Sequence, residues 1–287
     1  MSKIGLVIEG GGFRGLFAEG VTDWLIDNKI ELPYVIGVSM GASTGISYIT
    51  KQKSRNYDIA MTFLEDSRYI SMKNLLTTGS LFGMDFIFDD IANKYKKFDF
   101  EAFEKSKQEC VIGAMNCTNG QTTYLRKSQE NNEAMMDALK ASVSLPFVAQ
   151  VAQINNIPHL DGGLNDPIPV KQAFLDGCDK VIIILTRDKT YSKSPFKASP
   201  ISKVFYSDYP MVVDALRNRH QVYNQTQKII ASLVEDKKAI VIRPRTALPI
   251  GRLEKNREKL KLVYQTGYQQ AEFQKEELLN FIQDTTF

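Results

Sequence analysis

The stretch Ile4-Gly5-Leu6-Val7-Ile8 runs almost directly into Gly10-Gly11-Gly12-Phe13-Arg14-Gly15. A short β-branched apolar run reads as a buried strand, and the glycines behind it mark a tight turn. Beyond the turn, Arg14 to Asn28 spaces Leu16, Phe17, Val21, Trp24, Leu25 and Ile26 on one broad helical face. The unit then recurs. Tyr34–Val38 reads as a second strand and Met40 to Thr50 as a second helix, with Gly37-Val38-Ser39-Met40-Gly41 at their junction. Strand, helix, strand, helix at this spacing implies βαβ units and a parallel sheet, so the fold class is α/β.

Further strands are expected at Cys110–Cys117 and Thr122–Arg126, which flank the hairpin signal Asn119-Gly120, and at Lys180–Thr186 and Ala239–Arg243. Asn132 to Ser142 reads as a helix. Tyr57 to Phe98 mixes aromatic and charged residues with breaks at Gly79 and Gly83, which predicts short covering helices. The Phe, Tyr and Met residues between Met61 and Phe103 either line an apolar groove or pack as plain core. Tyr191 to Pro210, rich in Ser and Pro, is expected to be a loop. Arg252 to Ile282 reads as a solvated packing helix whose apolar face holds Leu253, Leu260, Val263, Tyr264, Tyr268 and Ala271.

Composition serves to exclude. At roughly 150 residues per domain, 287 residues allow one or two domains. Thirty-six basic against 33 acidic residues leave +3, with no Lys/Arg block to nominate nucleic acid as a partner. Cys110, Cys117 and Cys178 are an odd count without metal-ligand spacing, which argues against a disulfide framework and favours a reducing compartment, the cytoplasm. The N-terminal apolar run is too short for a signal-peptide core. The uncharged stretches Leu32 to Thr50 and Ala141 to Leu160 are broken by Pro and Gly, so no membrane span is expected.

Two turns can carry chemistry. Read literally, Gly10–Gly15 satisfies the dinucleotide-binding pattern G-x-G-x-x-G. That pattern needs an acid near the end of the second strand, and Ile36-Gly37-Val38-Ser39 has none. The loop can still present backbone N–H groups to a phosphate or a transient oxyanion. Gly37–Gly41 fits G-x-S-x-G at a strand-to-helix junction, where a tight turn exposes the serine oxygen above a helix N-terminus. Ser39 is therefore the candidate nucleophile.

A Ser-His-Asp triad needs a histidine, and the chain has two. His220 sits in Arg217-Asn218-Arg219-His220, a stretch expected to face solvent. His159 lies two residues before Asp161, on the same side of an extended segment, and is expected to be structural or superficial. Asp161 precedes Gly162-Gly163. It is either an ordinary turn aspartate or a base, because a water-poor site raises a carboxyl pKa and makes a Ser–Asp dyad workable.

Taken in order, Gly10–Gly15, Gly37–Gly41 and Asp161-Gly162-Gly163 resemble the patatin-like phospholipase family, as does Ala141-Ser142-Val143-Ser144-Leu145-Pro146 ahead of the aspartate. The resemblance runs from about Lys3 to Val170 and takes in the strand at Lys180–Thr186. It implies a three-layer α/β/α fold with a central, mostly parallel sheet. It also implies Ser39 as nucleophile, Asp161 as base, and an oxyanion hole of Gly11, Gly12 and Phe13 backbone N–H groups. Arg14 is then a support for that loop, a contact for an anionic head group, or a plain helix-start cation. Residues 1–190 would form the catalytic core, and 191–287 a C-terminal extension completing the sheet and adding a helical tail.

The activity so implied is hydrolysis of lipid acyl esters, of phospholipase or lysophospholipase type. No cofactor or metal is implied, and contact with a membrane surface would be transient. Two alternatives use the same fold: a binding or regulatory protein with little turnover, and an acyltransferase working with the same dyad.

Overall fold

Side-chain alternation along the first strand sets the architecture. In β1 (Ile4–Ile8), Ile4, Leu6 and Ile8 join one buried cluster and Val7 joins another, as residues two apart in a strand must. Both faces of this strand are therefore covered, which is the pattern of a parallel sheet between helical layers. The computed structural model describes residues 2–196 and 200–284.

The remaining strands are β2 (Tyr34–Val38), β3 (Glu109–Asn116), β4 (Thr122–Arg126), β5 (Ala152–Ile154), β6 (Ile157–Asp161), β7 (Lys180–Ile184) and β8 (Ala239–Ile242). They form one sheet in the order β5-β6-β3-β2-β1-β7-β8, with β4 paired to β3. β3, β2, β1, β7 and β8 run parallel, while β4 and β6 are antiparallel to β3, and β5 to β6. β2 accompanies β3 as far as Gly113, after which β6 takes over along Ala114 to Asn116. That handover brings Asp161, the last residue of β6, opposite Ala114 and near the carboxyl end of β2.

The helices are α1 (Gly15–Asp27), α2 (Met40–Ile49), α3 (Arg55–Phe63), α4 (Met72–Thr78), α5 (Phe100–Lys105), α6 (Asn132–Ser142), α7 (Val170–Leu175), α8 (Pro200–Phe205), α9 (Pro210–Glu235), α10 (Arg257–Phe273) and α11 (Lys275–Gln283). Leu16, Ile46, Ile59, Met135, Leu260 and Leu278 put α1, α2, α3, α6, α10 and α11 on one face. Ala173 and Tyr223 put α7 and α9 on the other. The three-layer α/β/α fold follows. Among the described residues, no helix is long and apolar enough to cross a membrane.

Two expectations need correction. Tyr191 to Pro210 is not loop throughout: residues 197–199 lie outside the described residues, and Pro200–Phe205 is α8. Pro200 and Pro210 each open a helix, at the position where the missing N–H costs nothing, so prolines that signal a loop locally are here helix starts. The tail is likewise not one helix from Arg252. α10 begins at Arg257, capped by Asn256, whose Oδ1 accepts from Lys259 N–H at 3.0 Å, and a break at Gln274 separates it from α11. Leu260, Val263 and Ala271 are buried against α1 as its apolar face requires, but Leu253 lies outside the helix and is 44% exposed. Trp24 Nε1–H donates to Glu272 at 2.6 Å and Tyr264 O–H to Asp23 at 2.6 Å, pinning α10 to α1.

Candidate active site

β1 is the point from which the sheet grows in both directions, with β2 on one side and β7 on the other. In open α/β sheets, ligands bind beyond the carboxyl ends of the strands at such a switch point. Three segments leave β1, β2 and β7 there: the Gly10–Gly15 loop, Ser39, and the Thr186–Arg187 turn.

Ser39 is held at φ 56°, ψ −134° between β2 and α2, a conformation that costs a non-glycine residue on the order of 1–3 kcal/mol. The turn is tight because Gly37 and Gly41 have no side chains. A Cβ on Gly37 would stand 2.5 Å from the Gly41 carbonyl, and one on Gly41 2.4 Å from the Ile8 carbonyl. Serine 142, at the end of α6, fixes the strained residue: its Oγ accepts from Ser39 N–H at 2.8 Å and donates to the Gly113 carbonyl at 2.7 Å. All of this is buried, and Ser39 itself is 6% exposed.

Asp161 is 2% exposed. Its backbone N–H donates to the Ser144 carbonyl at 2.8 Å, and its Oδ1 accepts from Gly163 N–H at 2.7 Å. Its Oδ2 is buried without a hydrogen-bond partner among the described residues, although Ser39 lines the same small pocket. Burial pushes the carboxyl pKa up; the Ser39 hydroxyl and then the Arg219 guanidinium pull it part of the way back. Ser39 and Asp161 thus face one small pocket without a closed hydrogen bond between them.

In the glycine loop, Gly12 has φ +57°, and a Cβ there would meet the Arg252 carbonyl at 2.5 Å. That carbonyl accepts from Phe13 N–H at 3.0 Å. Phe13 N–H is therefore already engaged by a backbone partner. Glu9, buried ahead of the loop, accepts from Thr186 N–H at 2.5 Å and Thr186 O–H at 3.1 Å, tying β1 to β7; burial raises its pKa. Gly10 donates to the Pro167 carbonyl at 3.4 Å, and Gly15 opens α1.

Ser39, Gly12 and Leu145 stand at the junction of two cavities. One is an apolar chamber of about 140 Å³ walled by residues such as Phe13, Tyr69, Phe82, Phe88, Phe98 and Leu139. The aromatic segment so divides between its two readings: Tyr69, Phe82 and Phe88 line the chamber, while Phe63 and Phe86 pack edge to face in the core. The other cavity, about 20 Å³, is polar and holds Arg14 and Asp161. Arg14 is buried, its Nε has no partner among the described residues, and its pKa is lowered to about 10 by burial and by Arg187 and Arg252.

Neither histidine lines these cavities. His159 is buried on β6, with Nδ1 against the Ile157 carbonyl at 2.8 Å and Nε2 against Thr123 Oγ1 at 3.0 Å. His220 has Nδ1 against the Arg217 carbonyl at 2.8 Å. Among the described residues, no three His, Cys, Asp or Glu side chains gather as a metal site.

Residues that local sequence reading did not assign are Glu9, Ser142 as the anchor of Ser39, and the cations Arg187, Lys193, Arg219 and Arg252. Ser142 lies in the Ala141–Pro146 segment whose resemblance is noted above. A charged residue directly after a buried strand was the one local sign for Glu9.

The fold and this placement define a class: an α/β/α protein with a polar site at the switch point of its sheet, opening on an apolar chamber. The family model described as patatin-like phospholipase matches residues 6–174, and the chain belongs to that family. A domain of unknown function (DUF6363) matches residues 209–283. "Uncharacterized protein YjjU" of Escherichia coli (strain K12) is 26% identical over 189 residues, covering 64% of this chain. The chain spans about half of that relative's length, 52%. "Probable lipid hydrolase 463L" of Invertebrate iridescent virus 6 is 22% identical over 71% of this chain and 78% of its own. VipD from Legionella pneumophila matches with a TM-score of 0.56 and 13% identity, over 96% of this chain and 67% of its own, a likeness of fold.

Proposed function

We propose that the protein is a serine acyl-ester hydrolase acting on lipids, with Ser39 as nucleophile and Asp161 as base. The observation that carries this reading is Ser39 itself, a strained non-glycine residue at the mouth of an apolar chamber with a buried carboxylate on its other side. Family membership and the relative named as a probable lipid hydrolase support the substrate class.

Asp161 Oδ2 takes the Ser39 proton as Ser39 Oγ attacks the acyl carbonyl, the acyl chain lying in the apolar chamber. Gly11 and Gly12 N–H face the oxyanion, whose charge they stabilise more than that of the ground-state carbonyl. Collapse expels the alcohol, which leaves with the proton held by Asp161. Water, deprotonated by Asp161, then attacks the acyl-Ser39 ester; collapse breaks the ester bond, Ser39 Oγ recovers its proton from Asp161, and the carboxylic acid is released.

Hydrolysis of a lipid panel by the purified protein, with Ser39→Ala as control, tests the reading. Turnover is expected with the native chain and lost in the variant; turnover that survives Ser39→Ala overturns it.

A further inference from the structure

The small polar cavity holds more positive charge than its site chemistry needs. Arg14, Arg187, Lys193, Arg219 and Arg252 line it against the carboxylates of Glu9 and Asp161. Among the described residues, none of the five cations is within ion-pair distance of a carboxylate. They are nevertheless held in place. Arg219 Nε–H donates to the Gly163 carbonyl at 2.6 Å, and the backbone of Lys193 is clamped to Asn224 of α9 by two bonds of 2.9 and 3.0 Å. Lys193 lies 5.1 Å from the Tyr223 ring centroid and Arg187 4.2 Å from that of Tyr191. The Arg252 carbonyl is bonded to Phe13 N–H at 3.0 Å. Burial and mutual repulsion lower Lys193 to about 7 and Arg219 to about 10. Five cations fixed together and partly desolvated against only two carboxylates, Glu9 and Asp161, leave an excess of positive charge that favours a bound anion.

Resting on the hydrolase reading, we propose that this cavity seats the phosphate of the substrate's head group and makes the enzyme selective for lipids whose phosphate carries no compensating cation. Ser39 lies between the two cavities, so an ester on Ser39 with its acyl chain in the apolar chamber directs its alcohol toward the cations. In a glycerophospholipid the phosphate stands only a few bonds from the acyl carbonyl on that side. A choline or ethanolamine group would bring a cation into a site already rich in them and is disfavoured by the same charges. Four of the five cations lie beyond residue 174, where the patatin-like match ends, and Arg219 and Arg252 lie within the domain of unknown function. Head-group selection is the role this assigns to that C-terminal region.

The test compares kcat/KM of the full chain on lysophosphatidate, lysophosphatidylcholine and monoacylglycerol of one acyl length. Lysophosphatidate is expected to be preferred over lysophosphatidylcholine. In Lys193→Gln/Arg252→Gln the lysophosphatidate rate should fall about tenfold or more relative to the monoacylglycerol rate, the scale of lost charge-assisted contacts. An unchanged ratio between these two substrates overturns the proposal. Inorganic phosphate and glycerol 3-phosphate separate the sources of the anion. Both should inhibit monoacylglycerol hydrolysis competitively, and less so in the double variant. Inhibition by inorganic phosphate with no change in the lipid ratio means a free anion occupies the site, and overturns the head-group role. Should the chain hydrolyse no ester, the hydrolase reading fails by itself. Calorimetry with glycerol 3-phosphate then decides the pocket: binding weakened in the double variant supports it, and no binding overturns it.

Discussion

Removing one hydroxyl, that of Ser142, tests whether the strained conformation of Ser39 is held from outside its own turn. Ser142→Ala deletes the acceptor for Ser39 N–H at 2.8 Å and the donor to the Gly113 carbonyl at 2.7 Å, with Ser142 fully buried. A buried group left without its partner costs about 1–3 kcal/mol. The carbonyl retains a second lone pair for other partners, so most of the loss falls on the Ser39 N–H, for a total of about 2–4 kcal/mol. At about 3 kcal/mol the folding equilibrium shifts by roughly a hundredfold, a large share of a typical domain's stability.

The catalytic consequence is separate. Without its anchor, Ser39 can relax from φ 56° toward an unstrained geometry, which withdraws Oγ from the chamber mouth. The turnover number should fall more than KM changes, since the lost interaction positions the proposed nucleophile rather than the acyl chain. Urea denaturation and p-nitrophenyl ester kinetics read the two effects. Ser144→Ala is the control, because its Oγ makes only a helix-end bond to the Lys140 carbonyl at 2.8 Å and should cost about 1 kcal/mol or less. If Ser142→Ala matches that control in stability and keeps the native kcat, the reasoning is refuted.

Two pH effects follow from burial. In the proposed mechanism Asp161 must be ionised to take the Ser39 proton, and burial raises its pKa. The acid limb of kcat/KM on an uncharged ester should therefore lie above the ordinary aspartate range of about 3.9, and Arg219→Gln, which removes a stabilising cation, should move it higher still; a limb at or below that range contradicts the account. Burial also raises Glu19 to about 8 and Asp23 to about 6. Folded pKa values above the unfolded ones give a contribution that is full below the unfolded values and lost as pH rises through the folded ones. The urea midpoint should thus fall between about pH 4 and about pH 7, below the range in which the lowered Lys193 acts in the opposite sense. The fall should be less steep in Glu19→Gln, and a slope unchanged in that variant contradicts the assignment.

What could be read from the chain was local. The strand–glycine–helix unit at Ile4–Asn28 and the elbow around Ser39 are contiguous, so backbone sterics and apolar spacing describe them with little help from the rest of the molecule. The β3–β4 hairpin around Asn119-Gly120 is equally local. The supports of the site are not. Ser142 meets Ser39 from 103 residues away, and Arg219 meets Gly163 from 56. The Arg252 carbonyl reaches Phe13 N–H only because the segment before α10 leaves the helix that its own sequence predicts. The same long-range contact engages the Phe13 N–H, which a reading of the loop alone would leave free. Tertiary contact likewise decided the aromatic segment, sending Phe82 and Phe88 to the chamber wall and Phe63 to the core.

The central claim is that Ser39 is the nucleophile and Asp161 its base. Intact-protein mass and peptide mapping after exposure to a fluorophosphonate test it most directly, because the reagent needs an activated serine and no knowledge of the substrate. The account predicts a single adduct on the peptide that carries Ser39, formed more slowly in Asp161→Asn and absent in Ser39→Ala. An unlabelled native protein, or an adduct on any other residue, would contradict it.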